Sequence, residues 1–253
     1  MAATMFDVGT YKLAAEVSGK GSPAVVFSSG SGDAGEAWDA VISALRSSTT
    51  LVTYARAGIG ESERPADSTP RSVGEAAEEL HRLLVATEVA GPFVLVGHSL
   101  GALVALTFAA QRPQHLAGLV LVDATDVHLN LDIEKPRTVA ADGDRADHLS
   151  FDVLASAEEV ARSRRPLDVP SVVIASRVER WLDLDDLEPW RPFTPAELDK
   201  RWQNHHRALA ANLGAVHKIA RFGGHYVQKD DPTIVAEAID DLIDSARGRL
   251  AGR

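Results

Sequence analysis

Hydrophobic and polar positions along the chain alternate between two patterns. Short unbroken apolar runs recur at 24–28 (AVVFS), 51–54 (LVTY), 93–96 (FVLV), 118–122 (GLVLV) and 172–175 (VVIA). Runs of this length, rich in β-branched residues and flanked by Gly, Pro or polar residues, predict strands, with those at 24–28, 93–96 and 118–122 buried. A looser alternation over 10–17 predicts an edge strand, and 215–221 the last strand. Between the runs, apolar residues recur at helical spacing. Trp38, Val41, Ile42 and Leu45 mark a crossover helix, and Val73, Ala76, Ala77, Leu80, Leu83 and Leu84 mark a second. The second opens on the capping box Ser72-x-x-Glu75. Thr194 and Glu197 cap a third helix running to about Leu213, and Asp231-Pro232 opens the last, with Ile234, Val235, Ala238, Ile239, Leu242 and Ile243 inward. Strands alternating with helices through short links predict an α/β fold: a doubly wound, mostly parallel sheet with helices on both faces.

Two stretches interrupt this rhythm. Residues 124–168 are polar with weak helical patches, and residues 177–193 form an acidic loop carrying Trp181 and Trp190, long enough to predict a functional role. No repeat or low-complexity segment divides the 253 residues, so one domain is expected.

Composition narrows the function classes. The net charge of −10 argues against nucleic acid or an anionic membrane as partner. No apolar run reaches the roughly 18 residues of a membrane span, and the N-terminal residues lack the basic-then-apolar order of a signal peptide. With no cysteine, disulfides, thiolate metal sites and cysteine nucleophiles are excluded, and a cytoplasmic location is expected.

The chemistry concentrates at Gly97-His98-Ser99-Leu100-Gly101, between the apolar run at 93–96 and an Ala/Leu-rich helix to Gln111. A serine between two glycines at a strand-to-helix switch is a nucleophile elbow. A Cβ at either glycine would strike neighbouring backbone, and Ser99 is expected in a strained conformation that lifts its hydroxyl to the tip of the turn. A serine hydroxyl needs a base. Of nine histidines, His225 follows the last strand and two glycines and precedes the final helix. His98 is expected to pack. His205 and His206, adjacent on a helix, face different sides and make poor metal ligands. An acid belongs at the carboxyl end of a strand beside the elbow strand. Asp123, ending the run at 118–122, is favoured over Glu179 in the acidic loop, with Asp126 third.

These features resemble the α/β-hydrolase fold over nearly the whole chain. The resemblance implies a Ser, acid, His order, with His225 in the position of the base. Ser29-Gly30-Ser31-Gly32 stands where the family carries a His-Gly-x-Gly loop, so the N–H groups of Ser31 and Leu100 would form the oxyanion hole. Ser29 replaces the family's His, which affects the side chain and not the backbone donors. Ala55-Arg56-Ala57-Gly58-Ile59-Gly60-Glu61-Ser62 resembles the family's Asp-Arg-x-Gly-x-Gly-x-Ser turn, with Ala55 for the Asp, and no catalytic role is carried to it. By the same resemblance 124–168 would be a reduced lid over a rather open pocket. The activity implied is hydrolysis of a small ester, lactone or related acyl substrate, apolar or aromatic, with Trp181, Trp190 and Phe193 at the mouth and no metal or organic cofactor. The fold also hosts lyases, acyl transferases, cofactor-free oxygenases and ligand-binding members. Members with a carboxylate nucleophile, the dehalogenases and epoxide hydrolases, are disfavoured by Ser99.

Overall fold

The computed structural model describes residues 3–67, 69–143 and 149–251; residues 144–148, within the expected lid, lie outside the described residues. Among the described residues ten strands run in chain order: β1 (Thr4–Asp7), β2 (Lys12–Gly19), β3 (Ala24–Ser28), β4 (Thr50–Tyr54), β5 (Phe93–His98), β6 (Leu116–Val122), β7 (Val139–Ala141), β8 (Ser150–Asp152), β9 (Ser171–Ala175) and β10 (Val216–Ile219). The helices are α1 (Asp39–Ala44), α2 (Val73–Ala86), α3 (Leu100–Gln111), α4 (Leu129–Asp132), α5 (Val153–Ser163), α6 (Pro195–Leu213), α7 (Val227–Asp230) and α8 (Pro232–Ala251). Eight strands form one sheet in the order β1-β2-β4-β3-β5-β6-β9-β10, parallel except at β1–β2 and β2–β4.

β3, β5, β6 and β9 are buried along their whole length, as the unbroken apolar runs of the first three predict. The sheet has an apolar core on each face. One unites α2, α3 and α5 with residues such as Leu80, Leu106 and Val160; the other unites α1 and α8 through Val41, Ile239 and Ile243. Helix α3 is apolar all round and buried from Gly101 to Ala110, because it lies between the sheet and its neighbouring helices. Both capping boxes form: Glu75 N–H donates to Ser72 Oγ and Glu197 N–H to Thr194 Oγ1. No described helix is long and apolar enough to cross a membrane.

Two expectations need correction. The stretch at 10–17 is not the edge of the sheet, because β1 pairs antiparallel outside it; β1 is four residues, too short to show a periodic pattern. The crossover expected over 36–46 is a 3-10 turn (Gly35–Trp38) followed by the short α1. Among the described residues of 124–168, β7 and β8 pair antiparallel, and α5 buries Val153, Ala157 and Val160 at helical spacing against the core.

Candidate active site

The elbow follows from close packing. A Cβ on Gly97 would lie 2.4 Å from the Gly101 carbonyl oxygen, and one on Gly101 would lie 2.2 Å from that of Ser28. Only glycine lets β5, α3 and the end of β3 approach this closely. Ser99 is held between them at φ 52°, ψ −118°, a conformation that costs a non-glycine residue about 1–3 kcal/mol. Its N–H donates to the Val122 carbonyl at 3.0 Å, fixing the turn to the end of β6.

His225 arrives on the loop after β10. Gly223, at φ +76°, lies so close to Asp230 that a Cβ would come within 2.0 Å of the Asp230 Cβ, and Gly224 N–H donates to Asp230 Oδ2 at 2.9 Å. The loop therefore folds onto α7. His98 holds it from below. Its Nε2–H donates to the His225 carbonyl at 2.8 Å, while Nδ1 accepts from Gln228 Nε2 at 3.1 Å. Burial, with the neighbouring His225, pushes the His98 pKa down to about 3, so the ring is neutral and this pattern fixes its tautomer. His98 thus does more than pack: it anchors the backbone of His225.

The side chains of Ser99, His225 and Asp123 meet. Ser99 Oγ lies 2.8 Å from His225 Nε2, and His225 Nδ1 lies 2.7 Å from Asp123 Oδ2. Asp123 follows β6 at φ 42° and is completely buried. Its Oδ1 accepts from the Ser176 N–H and from the Trp202 indole N–H, both at 2.7 Å. Burial alone would raise this carboxyl, but the hydrogen bond and charge of His225, with His206 and Arg180 close by, hold it far below the usual carboxylate range.

The other two carboxylate candidates lie elsewhere. Glu179 is exposed at φ 69° and starts a 3-10 turn. Asp126 accepts from Arg201 Nε at 2.8 Å and lies 3.6 Å from His205. Burial pushes His205 down to about 3 and lowers His206, whose Nδ1–H donates to the Trp202 carbonyl at 2.9 Å. Among the described residues no group of His, Asp and Glu is arranged to hold a metal ion.

A cavity of about 210 Å³ opens beside Ser99, with Ser31 and Leu100 in its wall. Leu100 is the first residue of α3, so its N–H has no helical acceptor. Leu103, Val127, Phe151 and Val153 supply apolar walls, Asn130 and Thr125 polar points, and no described lining residue carries a charge. The expected aromatic mouth is not there. Trp181 is buried in a separate cluster with Leu129, Ile133, Leu198 and Trp202, against which Trp190 and Phe193 pack. Much of the cavity wall comes instead from 125–156, from Thr125 through α4 and the β7–β8 hairpin to α5. Thr125, not singled out in the sequence, places Oγ1 3.1 Å from Ser99 Oγ. Its position two residues after Asp123 was the available signal.

A sequence model of the alpha/beta hydrolase family matches residues 25–238, from β3 into α8. The chain belongs to that family. Among curated proteins this alpha/beta hydrolase is 41% identical over 103 residues to a putative carbamate hydrolase, RutD, of Klebsiella pneumoniae (strain 342), spanning 41% of this chain and 38% of that one. It spans only 18% of a probable transporter, efuK, of Hormonema carpetanum, to which 125 residues are 32% identical, 47% of this chain. Among solved structures it is similar to a thermophilic esterase from Thermogutta terrifontis (19% identity, TM-score 0.64, 97% of this chain and 99% of that). It is similar also to the enol-lactonase from Burkholderia xenovorans LB400 (18%, TM-score 0.65, 95% and 100%). At these identities the solved structures show the fold.

Proposed function

We propose that this alpha/beta hydrolase is a serine hydrolase that cleaves a small, uncharged ester, lactone or related acyl substrate through an acyl-enzyme. The observation that carries the reading is the unbroken chain from Ser99 Oγ through His225 to Asp123, at 2.8 and 2.7 Å. His225 Nε2 takes the hydroxyl proton as Ser99 Oγ attacks the substrate carbonyl carbon. The carbonyl oxygen becomes an oxyanion held by the N–H groups of Ser31 and Leu100. Collapse breaks the acyl–oxygen bond, and the departing alkoxide takes the proton from His225. A water, deprotonated by His225, then attacks the acyl carbon, releasing the acid and restoring Ser99. Asp123 keeps the imidazole oriented and stabilises its charged form.

The cavity supports the substrate class. About 210 Å³ of mostly apolar space suits a compact acyl group, and an anionic one would be desolvated there without a cationic partner. The test is a short-chain p-nitrophenyl ester together with an active-site phosphonate, read by intact mass. Turnover and one adduct on Ser99, lost in His225→Ala, are expected. Neither turnover nor adduct would move the assignment to a ligand-binding or non-hydrolytic member of the fold.

A further inference from the structure

The hydrolytic scheme leaves the buried charge pair of Arg56 and Asp142 unused. Arg56 follows β4, is 2% exposed, and reaches under the loop formed by residues 29–33. Its Nε and Nη2 fork onto the two oxygens of Asp142, at 2.8 and 2.6 Å. Asp142, equally buried, stands directly after β7, on the hairpin that walls the cavity. Arg56 Nη1 also donates to the Ser29 carbonyl, and Nη2 donates to the Gly30 carbonyl at 2.6 Å.

The hairpin grips the same loop through three more hydrogen bonds. Gly32 N–H donates to Asp142 Oδ1 at 3.0 Å. The Ser31 hydroxyl donates to the Ala141 carbonyl at 3.1 Å and accepts from Gly143 N–H at 2.8 Å. The approach is so close that a Cβ on Gly32 would lie 2.8 Å from the Gly143 Cα.

Peptide planarity gives these bonds a consequence. The Gly30 carbonyl and the Ser31 N–H belong to one trans peptide unit, so they point in opposite directions. Whatever fixes the carbonyl fixes the N–H. Gly30 lacks the side chain that would restrict rotation of this unit, and a rotation would turn the N–H away while breaking the bond to Arg56. A guanidinium suits the task, because its planar fork can bind a carboxylate and backbone carbonyls together.

We propose that Arg56 and Asp142 are positioning residues for the oxyanion site: Asp142 holds Arg56, and Arg56 holds the Gly30 carbonyl so that the Ser31 N–H faces the substrate. The inference rests on the serine-hydrolase reading above. It makes the hairpin a structural part of the transition-state site as well as a wall of the pocket.

Asp142→Asn keeps the shape and removes the charge. Removing an oxyanion donor outright costs about 10²–10³ in kcat, and a misaimed one is expected to cost less, about 10-fold. KM for the p-nitrophenyl ester stays within about 2-fold, because the tie acts on the transition state and not on ground-state binding. A trifluoromethyl ketone, which forms a tetrahedral adduct on Ser99, binds about 10-fold more weakly for the same reason. Arg56→Lys, which keeps the charge without the fork, falls between the variant and the wild type. A folded Asp142→Asn protein with wild-type kcat and wild-type ketone affinity overturns the proposal. If that variant does not fold, unchanged values in folded Arg56→Lys do so. Amide hydrogen exchange reads the tie without turnover, and faster exchange at Ser31 and Gly32 is expected in either variant. If the wild type is neither labelled nor active, the hydrolase reading falls alone, and exchange equal to wild type would still overturn the tie.

Discussion

β6 and β9 lie side by side, run parallel, and end at the same level, with Val122 opposite Ile174. At the end of β6 stands Asp123, buried and surrounded by donors: His225, the Ser176 N–H and the Trp202 indole. At the end of β9 stands Ser176, whose N–H serves the neighbouring carboxylate and whose carbonyl accepts from Gln203 at 3.1 Å. Glu179, three residues on, is exposed. The two strand ends reach the same neighbourhood, but only one keeps a carboxylate ionised in apolar surroundings. A buried carboxyl without such donors would take up a proton, and it could then no longer stabilise an imidazolium.

The largest break in this comparison is Asp123→Asn. The variant keeps the shape, but it favours the wrong histidine tautomer and removes the stabilising charge. A loss of about 10⁴ in kcat is expected by analogy with other triads. Steady-state assay with the p-nitrophenyl ester measures it, and a loss under tenfold would remove Asp123 from the proposed triad.

Acid should destabilise the same neighbourhood. His98 and His205 have folded-state values near 3, below the unfolded value near 6.5, so the unfolded chain binds the extra protons. Their stabilising contribution is therefore complete above about pH 6.5 and lost as pH falls toward 3, at about 2 kcal/mol per histidine between pH 7 and 5. Asp123, depressed in the fold, adds a further loss below about pH 4. Urea midpoints at pH 7 and 5 test the histidine part; equal midpoints would mean that the imidazoles are protonated in the folded protein.

A smaller effect is expected from Trp202→Phe, which removes one donor from Asp123 and keeps most of the packing. About 1–2 kcal/mol of stability should go with the hydrogen bond to a charged group, read from urea unfolding, with Asp123→Asn as the partner in a double-mutant cycle. Additivity of the two changes would show that they are not coupled. Smallest of all is Glu179→Gln, for which kcat/KM should stay within about 2-fold, as for an exposed group outside the hydrogen-bonded chain. A large loss there would transfer the acid's role from one strand end to the other.

The fold was legible where one local pattern sufficed. β3, β5, β6 and β9 announce themselves as unbroken apolar runs, and Ser72/Glu75 and Thr194/Glu197 announce two helix starts. The elbow was legible for the same reason, since its glycines, serine and flanking elements are contiguous. Legibility ended where partners are distant in sequence. Asp123 was favoured over Glu179 only on its well-defined strand end, because the donors that set it apart come from Ser176 and Trp202, 53 and 79 residues away. Arg56 and Asp142 are 86 residues apart, and a polar stretch gives no sign that its aspartate turns inward. The loop at 177–193 misled by composition: its carboxylates are exposed, while Trp181 turns into a core of its own.

Trp202 donates its indole N–H to Asp123 and sets its ring edge-on to His225, with centroids 6.0 Å apart. Indole emission responds to charge and polarity at this range, so the protein carries its own optical reporter beside the imidazole. Formation and decay of the proposed acyl-enzyme should register as a transient change in intrinsic fluorescence, timed by stopped flow. Substrates with no chromophore then become as measurable as nitrophenyl esters.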